Sequence, residues 1–370
     1  MKIGVPKEIK NHEYRVALTP EGAKSLVAQG HQVYVQHNAG AKTGYPDKQY
    51  QAAGATVLQT AQEVFAAASL IVKVKEPQPQ EYALLDEKHT VFTYLHLAAD
   101  KALTDQLLHV GCTAIAYETV SADGKTLPLL APMSIVAGKL ATQVGAYYLQ
   151  TASGGRGILL GGAASAPPGK VLVFGGGMVG SSAVEIAVGM GATVTLVDQS
   201  DEALQRALER YPFIHIINSR NTAVDELVAD TDLLVGAVLV PGARAPIVVT
   251  DAMVKTMHPG SVIVDVAIDQ GGCIATSKVT NHDAPVFTRH EVIHYCVSNM
   301  PSAAARTATQ ALTAETLPYI QQLADKNIDD AIRQIGALQR GVNTYRGKLV
   351  QEAVAEAQQR ESYSLASMLG

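Results

Sequence analysis

Val171-Leu172-Val173-Phe174 runs into Gly175-Gly176-Gly177-Met178-Val179-Gly180 and then into Ser181-Ser182-Ala183-Val184. The order is strand, G-x-G-x-x-G turn, helix. In such a turn Gly175 makes the tight bend, Gly177 lets a pyrophosphate approach the backbone, and Gly180 lets the helix pack close to the strand. Phosphate charge would rest on the unpaired N–H groups of the helix N-terminus. A second strand leads to Asp198, a carboxylate suited to accept hydrogen bonds from the adenosine ribose hydroxyls. A ribose phosphate would be repelled there and no Arg follows at once, so NAD is expected rather than NADP. The turn alone means little in a chain with 31 glycines. Strand, loop, helix, strand and terminal acid in that order carry the reading.

Hydride transfer from an amino or hydroxy acid needs a cation for the carboxylate, an acid/base group for the N–H or O–H, and control of water. Arg15, in the loop after the first strand, could supply the cation or simply lie on the surface. Lys73 and Lys75 alternate with Val72 and Val74; each could reach a substrate or lay its stem over apolar surface. His96 closes Phe92-Thr93-Tyr94-Leu95-His96-Leu97, where an imidazole is either a proton carrier or a satisfied structural group. Asp269 stands where a strand gives way to Gln270-Gly271-Gly272, as a functional carboxylate or a turn cap. Residues 236–242 follow another strand and could brace the cofactor.

These groups need elements to hold them. β-rich runs at 2–5, 32–36, 70–75, 90–97 and 113–118 alternate with helical patterns. One helix is framed by Thr19 as N-cap and Gly30 beyond its end, another by Asp100 and Gly111. This rhythm predicts βα units and a mainly parallel sheet. A second series at 171–174, 193–197, 215–217, 233–237 and 261–267 predicts a second α/β domain. Residues 133–151 read as a long helix bridging the two, and 161–169 as an irregular loop. From Ser302 onward strands are expected to disappear in favour of Ala- and Gln-rich helices that could return to the first domain. That domain has Val5-Pro6-Lys7-Glu8 after its first strand and no glycine loop. It is therefore expected to hold the second substrate, which would meet the nicotinamide in an interdomain cleft.

Composition narrows the class. Of 370 residues, 47% are hydrophobic and 17% charged, which suits a globular chain of two domains. A net charge of −5 and a pI near 6.1 leave no basic footprint for nucleic acid or an anionic membrane. With no Trp and five Phe, the core must come from Ala, Val, Leu and Ile, as in buried parallel strands. Cys112, Cys273 and Cys296 are too scattered for disulfides or a metal site and read as small buried hydrophobes in a reduced cytosolic protein. The first residues lack the apolar core of a signal peptide, and no apolar run approaches the roughly 18 residues of a membrane span. A soluble, cytoplasmic protein is expected.

Ile3-Gly4-Val5-Pro6-Lys7-Glu8 and Glu13-Tyr14-Arg15-Val16-Ala17-Leu18-Thr19-Pro20 resemble the alanine dehydrogenase family, shared at greater distance with the NAD-binding subunit of proton-translocating transhydrogenase. So do Val74-Lys75-Glu76-Pro77, Tyr94-Leu95-His96-Leu97, Ala131-Pro132-Met133-Ser134, residues 264–273 and Asn299-Met300-Pro301. The likeness runs over essentially the full length. It implies an α/β fold of two Rossmann-like domains with parallel sheets, the first completed by C-terminal helices. Residues 1–130 with 306–370 would form the substrate domain and 131–305 the NAD-binding domain. The implied activity is NAD-dependent interconversion of L-alanine with pyruvate and ammonium. Arg15 and Lys75 would bind the substrate carboxylate, and Tyr94 and Met133 would border a methyl-sized pocket. His96 would be the general acid/base, with Asp269 assisting proton transfer and positioning water. Ser134, Met178, Val179, Asp198, Leu239, Val240, Ala267, Ile268, Lys278, Val297, Asn299 and Met300 would contact NAD beside the three motif glycines. No metal is implied, and the family is typically a cytoplasmic hexamer. Ala203 and Arg220 depart from the family pattern near the adenosine, where a basic residue and a Ser are usual. Another amino-acid dehydrogenase of this architecture, such as one for saccharopine, a transhydrogenase-type subunit and an NAD-binding regulator without turnover are the competing readings.

Overall fold

The computed structural model describes residues 1–238 and 244–370; Leu239 and Val240, two of the expected cofactor contacts, lie outside the described residues. Two compact units appear, Met1–Met133 with Ala304–Gly370 and Ser134–Ala303. The strands in chain order are β1 (Lys2–Val5), β2 (Gln32–Gln36), β3 (Thr56–Leu58), β4 (Leu70–Val72), β5 (Thr90–Thr93), β6 (Thr113–Ala116), β7 (Lys170–Phe174) and β8 (Thr193–Asp198). They continue with β9 (His215–Asn218), β10 (Leu233–Gly236), β11 (Val262–Asp265), β12 (Val286–Arg289), β13 (Val292–Tyr295), β14 (Val342–Tyr345) and β15 (Lys348–Leu349).

The first unit's sheet has the order β15-β14-β6-β5-β4-β1-β2-β3, and the second's β12-β13-β11-β10-β7-β8-β9. β1 to β6 pair in parallel, as do β7 to β11 with β13. Each sheet is therefore a doubly wound α/β sheet whose winding reverses beside its first strand, next to β4 in one unit and β10 in the other. Ligands bind such sheets at the carboxyl ends of the strands beside that reversal. The two-domain Rossmann-like reading of the sequence is borne out.

Burial on both faces explains the apolar strands. In β7, Val171 and Val173 join a core with Leu233, Val235, Val262 and Val264, while Leu172 and Phe174 join the opposite core with Leu234 and Ile263. The alternation is the period of two of an extended chain. The helix caps follow the sequence closely. Thr19 Oγ1 accepts from Gly22 N at 3.2 Å and an Asp100 carboxylate oxygen from Leu103 N at 2.9 Å, and Gly111 ends its helix at φ +79°. Cys112, Cys273 and Cys296 are free and buried. Among the described residues no helix is long and apolar enough to cross a membrane.

The expectation that strands vanish after Ser302 is wrong. β14 and β15 form a hairpin through Arg346 and Gly347, both at positive φ, the backbone that lets a two-residue turn match strand twist. β14 pairs antiparallel with β6 and covers what would be that sheet's open edge. Several strands also end earlier than the sequence suggested: β4 at Val72, β5 at Thr93, β6 at Ala116 and β11 at Asp265. β-favouring residues continue past each of these points, but after one more backbone bond from Lys73 N to Phe92 O and from Tyr94 N to Val74 O, side-chain carboxylates take the N–H groups of Val74, Leu95, His96 and, beyond β11, Ala267.

The part of the helix Ala131–Tyr148 from Ser134 onward belongs to the second unit and lies against the helix Met178–Gly189, with Thr142 Oγ1 donating to Ala183 O at 2.8 Å. A Cβ on Gly138 would fall 2.1 Å from Val179 O, so only glycine permits this approach. Gly138→Ala should cost about 1–3 kcal/mol, the usual range for overpacking, read as a lower Tm in thermal unfolding. An unchanged Tm would contradict the packing described.

Candidate functional site

Three strand exits in the first unit carry the expected substrate residues. Arg15, in the loop after β1, is buried rather than a surface arginine. Its guanidinium grips Glu13 through Nε to Oε1 at 2.7 Å and Nη2 to Oε2 at 2.5 Å, and Nη1 points to Met133 Sδ at 2.9 Å. Burial opposes its charge, but Glu13 outweighs that and raises its pKa. Lys73 and Lys75 follow β4. Lys73 does not lay its stem over surface: it is fully buried and binds Glu81 Oε1 at 2.9 Å and Glu8 Oε2 at 3.2 Å. Glu8 Oε1 in turn accepts from Val74 N at 2.6 Å and from Lys75 N at 3.4 Å, which fixes the direction in which Lys75 leaves the sheet.

Lys75 is the available cation. Among the described residues no carboxylate forms an ion pair with its Nζ, which lies 6.0 Å from the Tyr94 ring centre. Burial lowers its pKa, and the nearby charges of Arg15 and Lys10 lower it further. Two cations so placed favour a small anion. Tyr94 presents its ring rather than its hydroxyl, because the O–H donates to Leu129 O. Burial holds its phenol well above the usual range.

His96 does not close a strand. β5 has already ended at Thr93, and His96 sits at φ 53°, ψ 34°, a left-handed conformation uncommon for a residue with a Cβ. Its ring stacks on Tyr94 with centres 6.0 Å apart and planes 9° apart. Glu118, in the 3-10 turn after β6, accepts from His96 N at 2.6 Å and Leu95 N at 3.1 Å, and its Oε1 lies 4.0 Å from His96 Nδ1. Half of the imidazole remains exposed.

The second unit carries the cradle. Gly175 adopts φ +101°, and a Cβ on Gly180 would lie 1.7 Å from Gly175 O, which is the close packing expected of the motif. Gly177 caps the helix with no side-chain hydrogen bond and is exposed, with nothing within 4 Å of a notional Cβ. The first-turn N–H groups beside exposed Met178 and half-buried Val179 therefore have no side-chain cap. Asp198, at the end of β8, takes Gly176 N at 2.5 Å and Ser200 N at 2.7 Å, which ties it to the glycine turn. An open, uncapped helix start tied to a strand-terminal acid fits a dinucleotide. Ser134 is half-buried on the Ala131–Tyr148 helix.

Beyond β11 the chain forms the 3-10 turn Val266–Gln270. Buried Asp265 anchors it, accepting from Ala267 N at 3.1 Å, Cys273 N at 3.1 Å, Ile274 N at 3.2 Å and Ser277 Oγ at 2.6 Å. Ala267 and Ile268 are buried in that turn while Asp269 is exposed, and one Asp269 oxygen accepts from Asn299 N at 3.4 Å. Asn299 has φ 58° and Met300 is buried beside it in the chain. Val297 lies in the core, and Lys278 is exposed.

Residues 4–137 match the N-terminal domain, and residues 141–352 the C-terminal domain, of the family described as alanine dehydrogenase/PNT. The chain belongs to the alanine dehydrogenase/PNT family. It is 52% identical over 371 residues to the alanine dehydrogenase of Halomonas elongata, covering all of both chains. It is 50% identical to that of Methanococcus maripaludis, covering 96% of each. A solved L-alanine dehydrogenase superposes with a TM-score of 0.93 at 47% identity, over 97% of this chain and 99% of that one.

The sequence reading of this family member missed Glu8, Glu13, Glu118 and Asp265. Two act on groups brought to them by folding, Glu8 on a segment 66 residues away and Glu118 on one 22 residues away. Glu13, two residues from Arg15, and Asp265, two residues from Ala267, act within reach of a local signal.

Glu8 is driven up from 4.5 to about 6, chiefly by burial, with Lys73 pulling the other way. A carboxyl whose pKa rises on folding stabilises the fold fully below its unfolded value and loses that contribution as pH rises through the folded one. The Tm difference between wild type and Glu8→Gln should therefore favour wild type most below pH 4.5 and shrink through about pH 6. Parallel Tm curves across that window would refute the assignment.

Proposed function

We propose that this chain is an NAD-dependent L-alanine dehydrogenase, converting alanine, NAD and water to pyruvate, ammonium, NADH and a proton, and running in reverse. The carrying observation is the grouping in one unit of Lys75, which meets no carboxylate among the described residues, with Arg15 and the imidazole of His96 around the Tyr94 ring. Full-length likeness to alanine dehydrogenases supports the substrate.

Lys75 and the Nη1 edge of Arg15 would hold the carboxylate, each through a charge-assisted contact. The Tyr94 face and Met133 would leave room for a methyl group and little more. His96 would take the proton that frees the amine lone pair and release it to solvent through its exposed edge, then take the proton of the water that adds to the iminium carbon and pass it to the departing amine. Asp269 would orient that water. The chemistry NAD supplies when bound is acceptance of the hydride from Cα. In the second unit the Gly175–Gly180 turn would hold the pyrophosphate and Asp198 the adenosine ribose. A saccharopine-sized substrate would need space that buried Tyr94 and Met133 occupy. The Lys75, Arg15 and His96 grouping is chemistry that a nucleotide carrier or a regulator without turnover would not need. We place the enzyme in the cytoplasm as a homo-oligomer, six copies by family resemblance, with no nucleic-acid or membrane partner.

NADH oxidation by the purified chain should be fastest with pyruvate plus ammonium among a panel of oxo acids; clear preference for a longer oxo acid would sink the substrate. His96→Ala should lower kcat by about 100-fold or more, the usual scale of acid–base catalysis, while NADH binding stays intact.

A further inference from the structure

The turn that carries His96 is fixed from two sides, and one of them lies more than 250 residues away in the chain. Left-handed backbone at a residue with a Cβ persists only where its surroundings over-determine it. On the approach side Glu118 takes the N–H groups of Leu95 and His96. On the exit side Gln358, the last residue of the helix Glu352–Gln358, donates from Nε2 to Leu97 O and to Thr104 Oγ1 at 3.0 Å. We infer that Gln358 is a positioning residue for His96, which makes the C-terminal segment part of the catalytic apparatus.

The contact is built rather than incidental. Gln358 is 3% exposed, and Val354 and Ala355 of its helix share a core with Leu95, Leu97, Leu103 and Leu107. Leu97 O also accepts Asp100 N at 2.9 Å, so the amide and the following helix cap converge on the carbonyl next to His96. Packing alone does not explain the residue. Gln358 Oε1 is buried with no hydrogen-bond partner among the described residues, an unfavourable state that an apolar side chain of similar volume would avoid. What the amide adds is a donor at the residue following the imidazole.

This inference rests on His96 as the acid/base group, and the test separates the two. Steady-state reductive amination, thermal unfolding and NADH binding would be measured on full-length wild type, Gln358→Glu, Gln358→Leu, Arg360→Ala and His96→Ala. Gln358→Glu and Gln358→Leu should lower kcat about tenfold, as misplacement of a reacting group does, with KM for pyruvate and NADH affinity within about twofold. Gln358→Glu should recover relative to wild type as pH falls, because a protonated carboxyl can again donate to Leu97 O. Arg360→Ala cuts the neighbouring bond to Asp105 but spares the amide, and should retain wild-type kcat. A folded Gln358→Glu with wild-type kcat overturns the inference, as does an equal loss in Arg360→Ala. Should neither Gln358 variant fold, Thr104→Val, which removes the amide's second anchor, must lower kcat at unchanged KM; an unchanged kcat overturns the inference. Full activity in His96→Ala would instead refute the acid/base reading itself.

Discussion

Carboxylates at strand exits hold this structure's chemistry in place. A parallel strand buried on both faces has backbone amides that must find a partner when the ladder stops, because a buried N–H left alone is costly. Glu8 takes Val74 N beyond β4, Glu118 takes Leu95 N and His96 N beyond β5, and Asp265 takes Ala267 N beyond β11. Asp198 does the same after β8 and ties that strand to the glycine turn. Charge-assisted bonds of this kind are short and directional, so each strand end becomes a rigid bend from which a functional side chain projects.

Such carboxylates must be compensated, and of four cations near the first unit's strand exits three are paired. Lys73 answers Glu8 and Glu81, Arg15 answers Glu13, and Lys10 answers Glu76. Lys75 alone of these cations has no carboxylate on its ammonium among the described residues. Burial weakens solvent screening around it, so a substrate carboxylate would be its natural partner. His96 stands one strand over, its ring braced on the same Tyr94 that faces Lys75.

The second unit solves a different problem with almost no charge. Its turn uses three glycines and an uncapped helix start, so backbone N–H groups rather than side chains are offered to an anion. Asp198 is tied to the turn, and its bonds to Gly176 and Ser200 hold it beside the open glycine.

Family resemblance singled out Arg15, Lys75 and His96, while the chain's own patterns specified the two α/β units, the glycine turn with its terminal acid and the helix caps at Thr19 and Asp100. Those signals are local: periodicity, capping chemistry and glycine spacing act within a few residues. Folding alone set that β14 and β15 return to the first sheet, that Lys73 is an internal counter-ion while Lys75 meets no carboxylate among the described residues, and that His96 sits on a left-handed bend. Each of these depends on a partner tens to hundreds of residues away, and a side chain's burial or charge balance is set by what folding packs around it.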